Sequence, residues 1–171
     1  MHGPKECFVP VRQDASQVIV SYDYQADGKK NAFWHEVYFW KKRTAQPTLQ
    51  QIKDAVYADI NAQTDEKILK GFVWTPTGGE PVNVWLSMEN QSNFSEAHGI
   101  AKDHPEAILP VTFKLGEDAD GSPVYHTFET FEELDRFYME GAAFKIQCLT
   151  EGWQRKDGID WTPYDPEGKD A

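Results

Sequence analysis

One pattern, which occurs three times, constrains the fold more than any other feature of the sequence. Two β-rich runs joined by a turn-forming segment are followed each time by a run with helical periodicity. The joining segments contain Asp27-Gly28, Pro76 with Gly78-Gly79, and Asp120-Gly121. Such residues favour tight connections between antiparallel strands. The order ββα-ββα-ββα therefore predicts an α+β fold, with antiparallel hairpins and three helices packed on the sheet. The three units do not match one another in sequence, so a duplication is not inferred.

Length and composition are sufficient for one domain with a substantial core. The chain has 171 residues, and its aromatic fraction of 13% makes extensive disorder improbable. We expect an irregular N-terminal arm over residues 1–15, which contain Pro4 and Pro10 and no periodicity. A single α+β domain is predicted over 16–160, followed by a polar tail over 161–171.

Four residues have the character of helix caps. Thr48 precedes an apolar stripe and is a favourable N-cap, and Thr130 with Glu133 matches the S/T-x-x-E capping box. Ser87 lies in the stretch WLSMENQSNF, which is rich in acid and amide side chains and resembles a catalytic loop. Because a strand-like run ends at Leu86, we interpret this stretch as a strand-to-helix junction capped by Ser87.

The run NAFWHEVYFWKK predicts a strand with rings on both faces. Period-two alternation places one set of side chains on the core and the other set on the opposite face. That second set must be covered, or it forms an exposed apolar patch. The cover is either the N-terminal arm or a partner protein. The candidate interaction face consists of Trp34, Tyr38 and Trp40.

Charge and cysteine content restrict the partners and the compartment. The net charge of −11 disfavours direct binding to nucleic acid, and no apolar run has the length of a signal peptide or a membrane span. The only cysteines, Cys7 and Cys148, match no zinc or redox spacing, which favours reduced thiols inside a cell. We expect a protein that stays inside a cell or is assembled there into a larger particle.

A search for chemical motifs predicts no catalytic, cofactor-binding or metal-binding residues. The loop GEDADGS has the glycine of a calcium-binding loop, but Gly116 and Thr127 stand where the first and last ligands are needed. The five histidines form no H-x-x-x-H pair, there is no G-x-S-x-G, and the segment TPTGGEP lacks the lysine of a phosphate-binding loop. We therefore predict a protein that is not an enzyme and needs no cofactor.

Four segments carry a family resemblance: TLQQIKDAVYADINAQTDEKILKGFVW, VWLSMENQSNF, LPVTFKLGEDADGSPVYHTF and GWQRKDGIDW. Together they resemble a family of small proteins of undefined function that are encoded in phages and prophages of gut bacteria, often among virion structural genes. The similarity spans about residues 34–164. The chain also resembles, more distantly, a domain of unknown function at the ends of phage tail-associated proteins. The resemblance implies a phage context and supplies no catalytic residues.

Three functions follow as hypotheses. The first is a phage structural or assembly protein, such as a tail, head-fibre or adaptor component, whose partners are other virion proteins or further copies of itself. The second is an acidic inhibitor of a host defence protein, motivated by the net charge. The third is a small carbohydrate-binding module that stacks exposed rings on sugars. We favour the first, because a two-faced aromatic strand and the resemblance both support it.

Overall fold

The computed structural model describes residues 1–40 and 46–165 and has an α+β architecture with antiparallel sheets. Its strands are β1 (His2–Pro4), β2 (Val11–Gln13), β3 (Gln17–Asp27), β4 (Asn31–Trp40), β5 (Phe72–Trp74), β6 (Val82–Val84), β7 (Val111–Glu117) and β8 (Pro123–Phe128). Its helices are α1 (Leu49–Lys70), α2 (Met88–Asp103), α3 (Pro105–Ile108) and α4 (Phe131–Asp157). Short 3-10 turns occupy Lys5–Cys7 and Thr162–Tyr164.

The strands form three sheets instead of the one that the sequence predicts. The first has four strands in the order β1-β4-β3-β2, and the other two are the hairpins β5-β6 and β7-β8. The predicted order with three helices is not what is found, because two strands precede the first hairpin and α3 follows α2. Within the described residues there are four α-helices. The α+β class and the antiparallel pairing are as predicted.

The chain packs as two compact units, Met1–Ala62 with Gly152–Ala171, and Gln63–Glu151. We call them unit 1 and unit 2. The prediction that residues 16–160 form a single domain stays a prediction. In unit 1 the core joins one face of the four-stranded sheet to α1, and it includes Val20, Tyr22, Val37, Val56 and Ile60. In unit 2 a separate core surrounds Trp74, Phe94, Phe128, Leu134 and Phe137.

The N-terminal segment, which we expected to be irregular, contributes two strands to the first sheet. Residues His2–Pro4 pair with Asn31–Phe33 of β4, and Val11–Gln13 pair with residues 18–20 of β3. The amino group of Met1 also donates a hydrogen bond to the carbonyl oxygen of Trp34 at 2.6 Å. Backbone pairing of this kind orders a segment that has no periodicity of its own.

The C-terminal segment is also anchored in unit 1 as far as it is described. Tyr164 is 6% exposed, and its hydroxyl donates to the carbonyl oxygen of Ser21 at 2.8 Å. Trp161 packs against the same core. Residues 166–171, the rest of the predicted polar tail, lie outside the described residues.

Candidate functional site

The candidate site is the outer face of the four-stranded sheet, on the side away from the core of unit 1. Alternation along β4 places Trp34, Glu36, Tyr38 and Trp40 on this face. The register sets Tyr38 opposite Ile19 of β3, which in turn pairs with Arg12 of β2. Glu36 lies opposite Ser21 and Trp40 opposite Gln17. Three strands thus bring together residues that are far apart in the sequence.

Glu36 is the centre of a hydrogen-bond network on this face. Its side chain is only 3% exposed, although it carries a carboxylate. Oε1 accepts from Arg12 Nη2 and from Trp34 Nε1, both at 2.9 Å, and Oε2 accepts from the Tyr38 hydroxyl at 2.7 Å. The Ser21 hydroxyl adds a longer contact of 3.4 Å. A buried carboxylate is tolerated when it is paired and hydrogen-bonded in this way.

The network shifts the acidity of its members. Burial by itself raises the pKa of the Glu36 carboxyl, but the hydrogen bonds from Trp34 and Tyr38 and the positive charge of Arg12 outweigh it, so the pKa lies below its usual 4.5. The hydrogen bond that Tyr38 donates to Glu36 is the main cause that raises the pKa of the Tyr38 phenol above 10.0, and burial adds to this effect. Glu36 is therefore ionised and Tyr38 protonated at neutral pH, which keeps their hydrogen bond in place.

The three aromatic residues predicted for the interaction face differ in exposure. Trp34 is 5% exposed, because the N-terminal segment covers it: Phe8 packs edge-on against its ring, and an added Cβ at Gly3 would lie 3.2 Å from it. Tyr38 is 51% exposed and Trp40 is 76% exposed. The arm thus covers one end of the face and leaves the rings of Tyr38 and Trp40 accessible.

The edge of β4 beside these two rings has no neighbouring strand within the described residues. On that side β1 pairs only with Asn31–Phe33, so among the described residues the ladder pairs of residues 36–40 of β4 are with β3. An unpaired edge presents backbone N–H and C=O groups that a further strand can bind. Among the described residues, the site therefore combines a strand edge without a second neighbouring strand and two exposed rings.

Sequence reasoning missed Glu36 and Arg12. The pattern Trp-x-Glu-x-Tyr-x-Trp was the available signal for Glu36, since an acid that alternates with rings shares their face. Arg12 gave no such signal, because it lies in a strand of only three residues whose partner is elsewhere in the chain.

The predicted cap residues lie at helix N-termini. The Thr48 hydroxyl accepts from Gln51 N at 3.2 Å, and the Ser87 hydroxyl accepts from Asn90 N at 3.1 Å. The Thr130 hydroxyl accepts from Glu133 N at 3.3 Å. The Glu133 carboxylate contacts His126 Nε2 at 3.1 Å, where we expected the reciprocal bond of a capping box. These residues define where helices begin and are not part of the outer face.

The β7–β8 loop is closed by its own hydrogen bonds. Asp118, in the loop that was considered for calcium, accepts backbone hydrogen bonds from Asp120 and Ser122 at 2.9 Å and closes the β7–β8 turn. Among residues 1–40 and 46–165, no group of three or more His, Cys, Asp or Glu side chains is placed to hold a metal ion. Nor does any helix in those two ranges have the length and apolar character needed to cross a membrane.

Comparison with known proteins gave one match. A family model described as a domain of unknown function, DUF4376, matches residues 51–170. This region starts within α1, so the four-stranded sheet precedes it. No curated protein and no solved structure matches the chain.

Proposed function

The chain belongs to the DUF4376 family, whose function is unknown. We propose, on the separate grounds that follow, that it is a phage structural or assembly protein that acts through protein–protein contacts. In this role it is a tail, head-fibre or adaptor component, present in the virion or in the host cytoplasm during assembly. Its partners are other virion proteins or further copies of itself. The phage context is supported by the resemblance of the four sequence segments to phage-encoded proteins.

One observation carries the proposal of a protein partner. The open edge of β4 and the exposed rings of Tyr38 and Trp40 lie on the same stretch of backbone. A strand added at this edge gains backbone hydrogen bonds, and alternate side chains of the added strand then reach the rings. Large rings with few rotatable bonds are the side chains that contribute most to protein interfaces.

The network around Glu36 supports the same proposal. The Tyr38 hydroxyl is held by the Glu36 carboxylate, which Arg12 and Trp34 hold in turn. A ring that is already fixed loses little conformational freedom on binding, so more of its contact energy contributes to affinity. The face is thus organised before a partner arrives.

The test combines particle composition with surface variants. Purified phage particles are washed with salt and analysed by mass spectrometry, and we expect the wild-type protein among their components. Trp40→Ala and Tyr38→Ala are expected to reduce incorporation by at least tenfold, since hot-spot rings each contribute about 2 kcal/mol or more. Absence of the wild-type protein from particles, with abundant free protein in infected cells, would refute the proposal.

Two matched variants control for the loss of any exposed ring. Trp153 is 55% exposed and Tyr125 is 63% exposed, and neither lies on the outer face. Trp153→Ala and Tyr125→Ala are expected to leave incorporation unchanged. Equal losses for all four variants would argue against a specific role of β4.

The exposed ring of Trp40 also favours the carbohydrate-binding alternative, since sugars stack on such rings. A glycan array distinguishes the two functions. A hit that Trp40→Ala abolishes would support sugar binding, whereas an array without hits would favour binding to a protein. The inhibitor alternative rests on net charge alone. It requires binding to a host protein that weakens strongly as salt increases.

A further inference from the structure

A second site lies in unit 2, away from the residues on which the proposed function depends. A pocket of about 110 Å³, open to solvent at one end, lies between helices α2 and α4 and the strand β5. Its walls are formed mainly by apolar side chains, among them Phe72, Leu86, Phe94 and Phe137. An enclosed apolar cavity of about 150 Å³ binds benzene, so this smaller pocket can hold most of a ring, with the remainder at its open end. Because this pocket is open at one end, a ring can enter it while a polar group stays at the mouth.

Gly141 keeps the α4 side of the pocket open. It stands inside a helix, where glycine costs about 1 kcal/mol relative to alanine. A Cβ at this position would approach the Phe72 ring to 3.3 Å, which is tighter than ordinary packing. Glycine therefore lets α4 lie close to Phe72 and leaves the lining free of a further side chain.

The mouth of the pocket carries a positioned positive charge. Lys145, one turn beyond Gly141 on α4, donates from Nζ to Gln91 Oε1 at 3.2 Å. The orientation of the Gln91 amide is fixed, because its Nε2 donates to the carbonyl oxygen of Leu86 at 2.7 Å. The Lys145 ammonium thus donates a hydrogen bond to a neutral acceptor. An ammonium has three donors, so it can also bind a carboxylate at the mouth.

We propose that this pocket binds a small monocarboxylic acid with an apolar ring. The ring lies between α2 and α4 against Phe72 and Phe94, and the carboxylate accepts hydrogen bonds from Lys145. This assignment uses both properties of the site, the apolar interior and the lysine ammonium at its mouth. It does not depend on the interface at β4, so either proposal can fail while the other stands.

The test uses three probes with the full-length chain. Phenylacetate has the ring and the charge, phenylacetamide has the ring alone, and acetate has the charge alone. Binding is followed by amide shifts in two-dimensional NMR at about 0.15 M salt, where the distant acidic surface is largely screened. Phenylacetate is expected to bind with a Kd on the order of 1 mM, as is typical of a ligand with about ten non-hydrogen atoms. Its shifts should centre on Phe94, Gly141 and Lys145.

Variants separate the ring site from the charge. Lys145→Gln is expected to weaken phenylacetate binding about tenfold and to leave phenylacetamide unchanged, because only a charge-assisted hydrogen bond is lost. Lys145→Arg should stay within about twofold of wild type, since the charge is kept. Ser95 lines the pocket and is exposed, so Ser95→Leu should block the pocket and weaken binding more than tenfold. Ser92→Leu, on the same helix but not in the lining, is the control.

The proposal predicts weaker binding for both partial probes. It is overturned if phenylacetate causes no shifts at 10-fold the expected Kd, or if its shifts lie away from the pocket. Equal binding of phenylacetamide would remove the role of the carboxylate, and equal binding of acetate would remove the role of the ring. An unaltered unfolding midpoint for each variant shows that a loss of binding is not a loss of fold.

Discussion

Replacing Glu36 by alanine tests whether the outer face is held together by its buried carboxylate. The substitution leaves the Trp34 Nε1 donor unpaired beneath the N-terminal segment, which costs about 1–3 kcal/mol. The Arg12 side chain is 43% exposed and can turn to water, so loss of the ion pair adds less than about 1 kcal/mol. The Tyr38 hydroxyl also reaches solvent and adds little. We expect Glu36→Ala to lower the free energy of unfolding by about 2–3 kcal/mol.

Glu36→Gln is the matched control for this loss. Its carbonyl oxygen can still accept from Trp34, and its amide group can donate to the Tyr38 hydroxyl once that hydroxyl rotates. Only the charge opposite Arg12 is removed, so the expected cost is about 1 kcal/mol. The difference in free energy of unfolding between the two variants therefore gives the cost of the unpaired Trp34 indole separately from the cost of the lost charge.

Urea unfolding followed by circular dichroism measures these costs, and the indole N–H resonance of Trp34 reports on the network directly. The pKa of Glu36 is lower in the folded chain than its usual 4.5, so the unfolded chain binds more protons between the two values. The free energy of unfolding of wild type therefore exceeds that of Glu36→Gln by its full amount above about pH 4.5. This difference disappears as the pH falls through the folded pKa. A cost for Glu36→Ala below about 0.5 kcal/mol, or equal to that of Glu36→Gln, would refute the reasoning.

Three further predictions concern other parts of the chain. Ser87→Ala should cost about 1 kcal/mol in urea unfolding, through loss of the cap of α2, and leave incorporation into particles unchanged. Gly71→Ala should lower the free energy of unfolding by about 3 kcal/mol or more, since φ is +81° and the new Cβ would lie 1.6 Å from the carbonyl oxygen of Val84. Gly28→Ala, where φ is +67° and the new Cβ meets open space, should lower it by only about 1 kcal/mol. Burial raises the pKa of Tyr164 to about 12, so its phenol should not ionise at pH 10–11 in an ultraviolet titration. Because the unfolded phenol ionises near 10.0, stability should fall between pH 10 and 12 by more in wild type than in Tyr164→Phe, which keeps the raised pKa of Tyr38, and an equal fall in both would contradict this.

The features that depend on neighbours in the sequence were predictable. Asp27-Gly28 and Asp120-Gly121 lie in or beside the connections of the β3–β4 and β7–β8 hairpins, and Ser87 stands at the start of α2. Turn chemistry and capping act over two to four residues, so a short stretch of sequence contains the whole interaction.

The features that depend on distant partners were not predictable in this way. Strands β1 and β2 have three residues each, too few to show alternation, and they exist because β4 and β3 offer them backbone partners. The expectation of a single sheet failed for a related reason: the pairing of each hairpin is local, whereas the joining of hairpins into one sheet is set by the packing of the whole chain. Helix α3 has only four residues and carries no periodicity.

The outer face depends both on neighbours in the sequence and on distant parts of the chain. Alternation assigns Trp34, Tyr38 and Trp40 to one face of β4 and predicts equal exposure for them. The observed exposure rises from 5% to 51% to 76% along the strand, because Gly3 and Phe8 cover only the end that holds Trp34. We therefore expect a partner of the proposed kind to contact the Trp40 end of β4, where no neighbouring strand other than β3 lies among the described residues. Glu36 accepts hydrogen bonds from both Trp34 and Tyr38, so in the proposed interface Trp34 would act by fixing the ring of Tyr38 instead of by touching the partner.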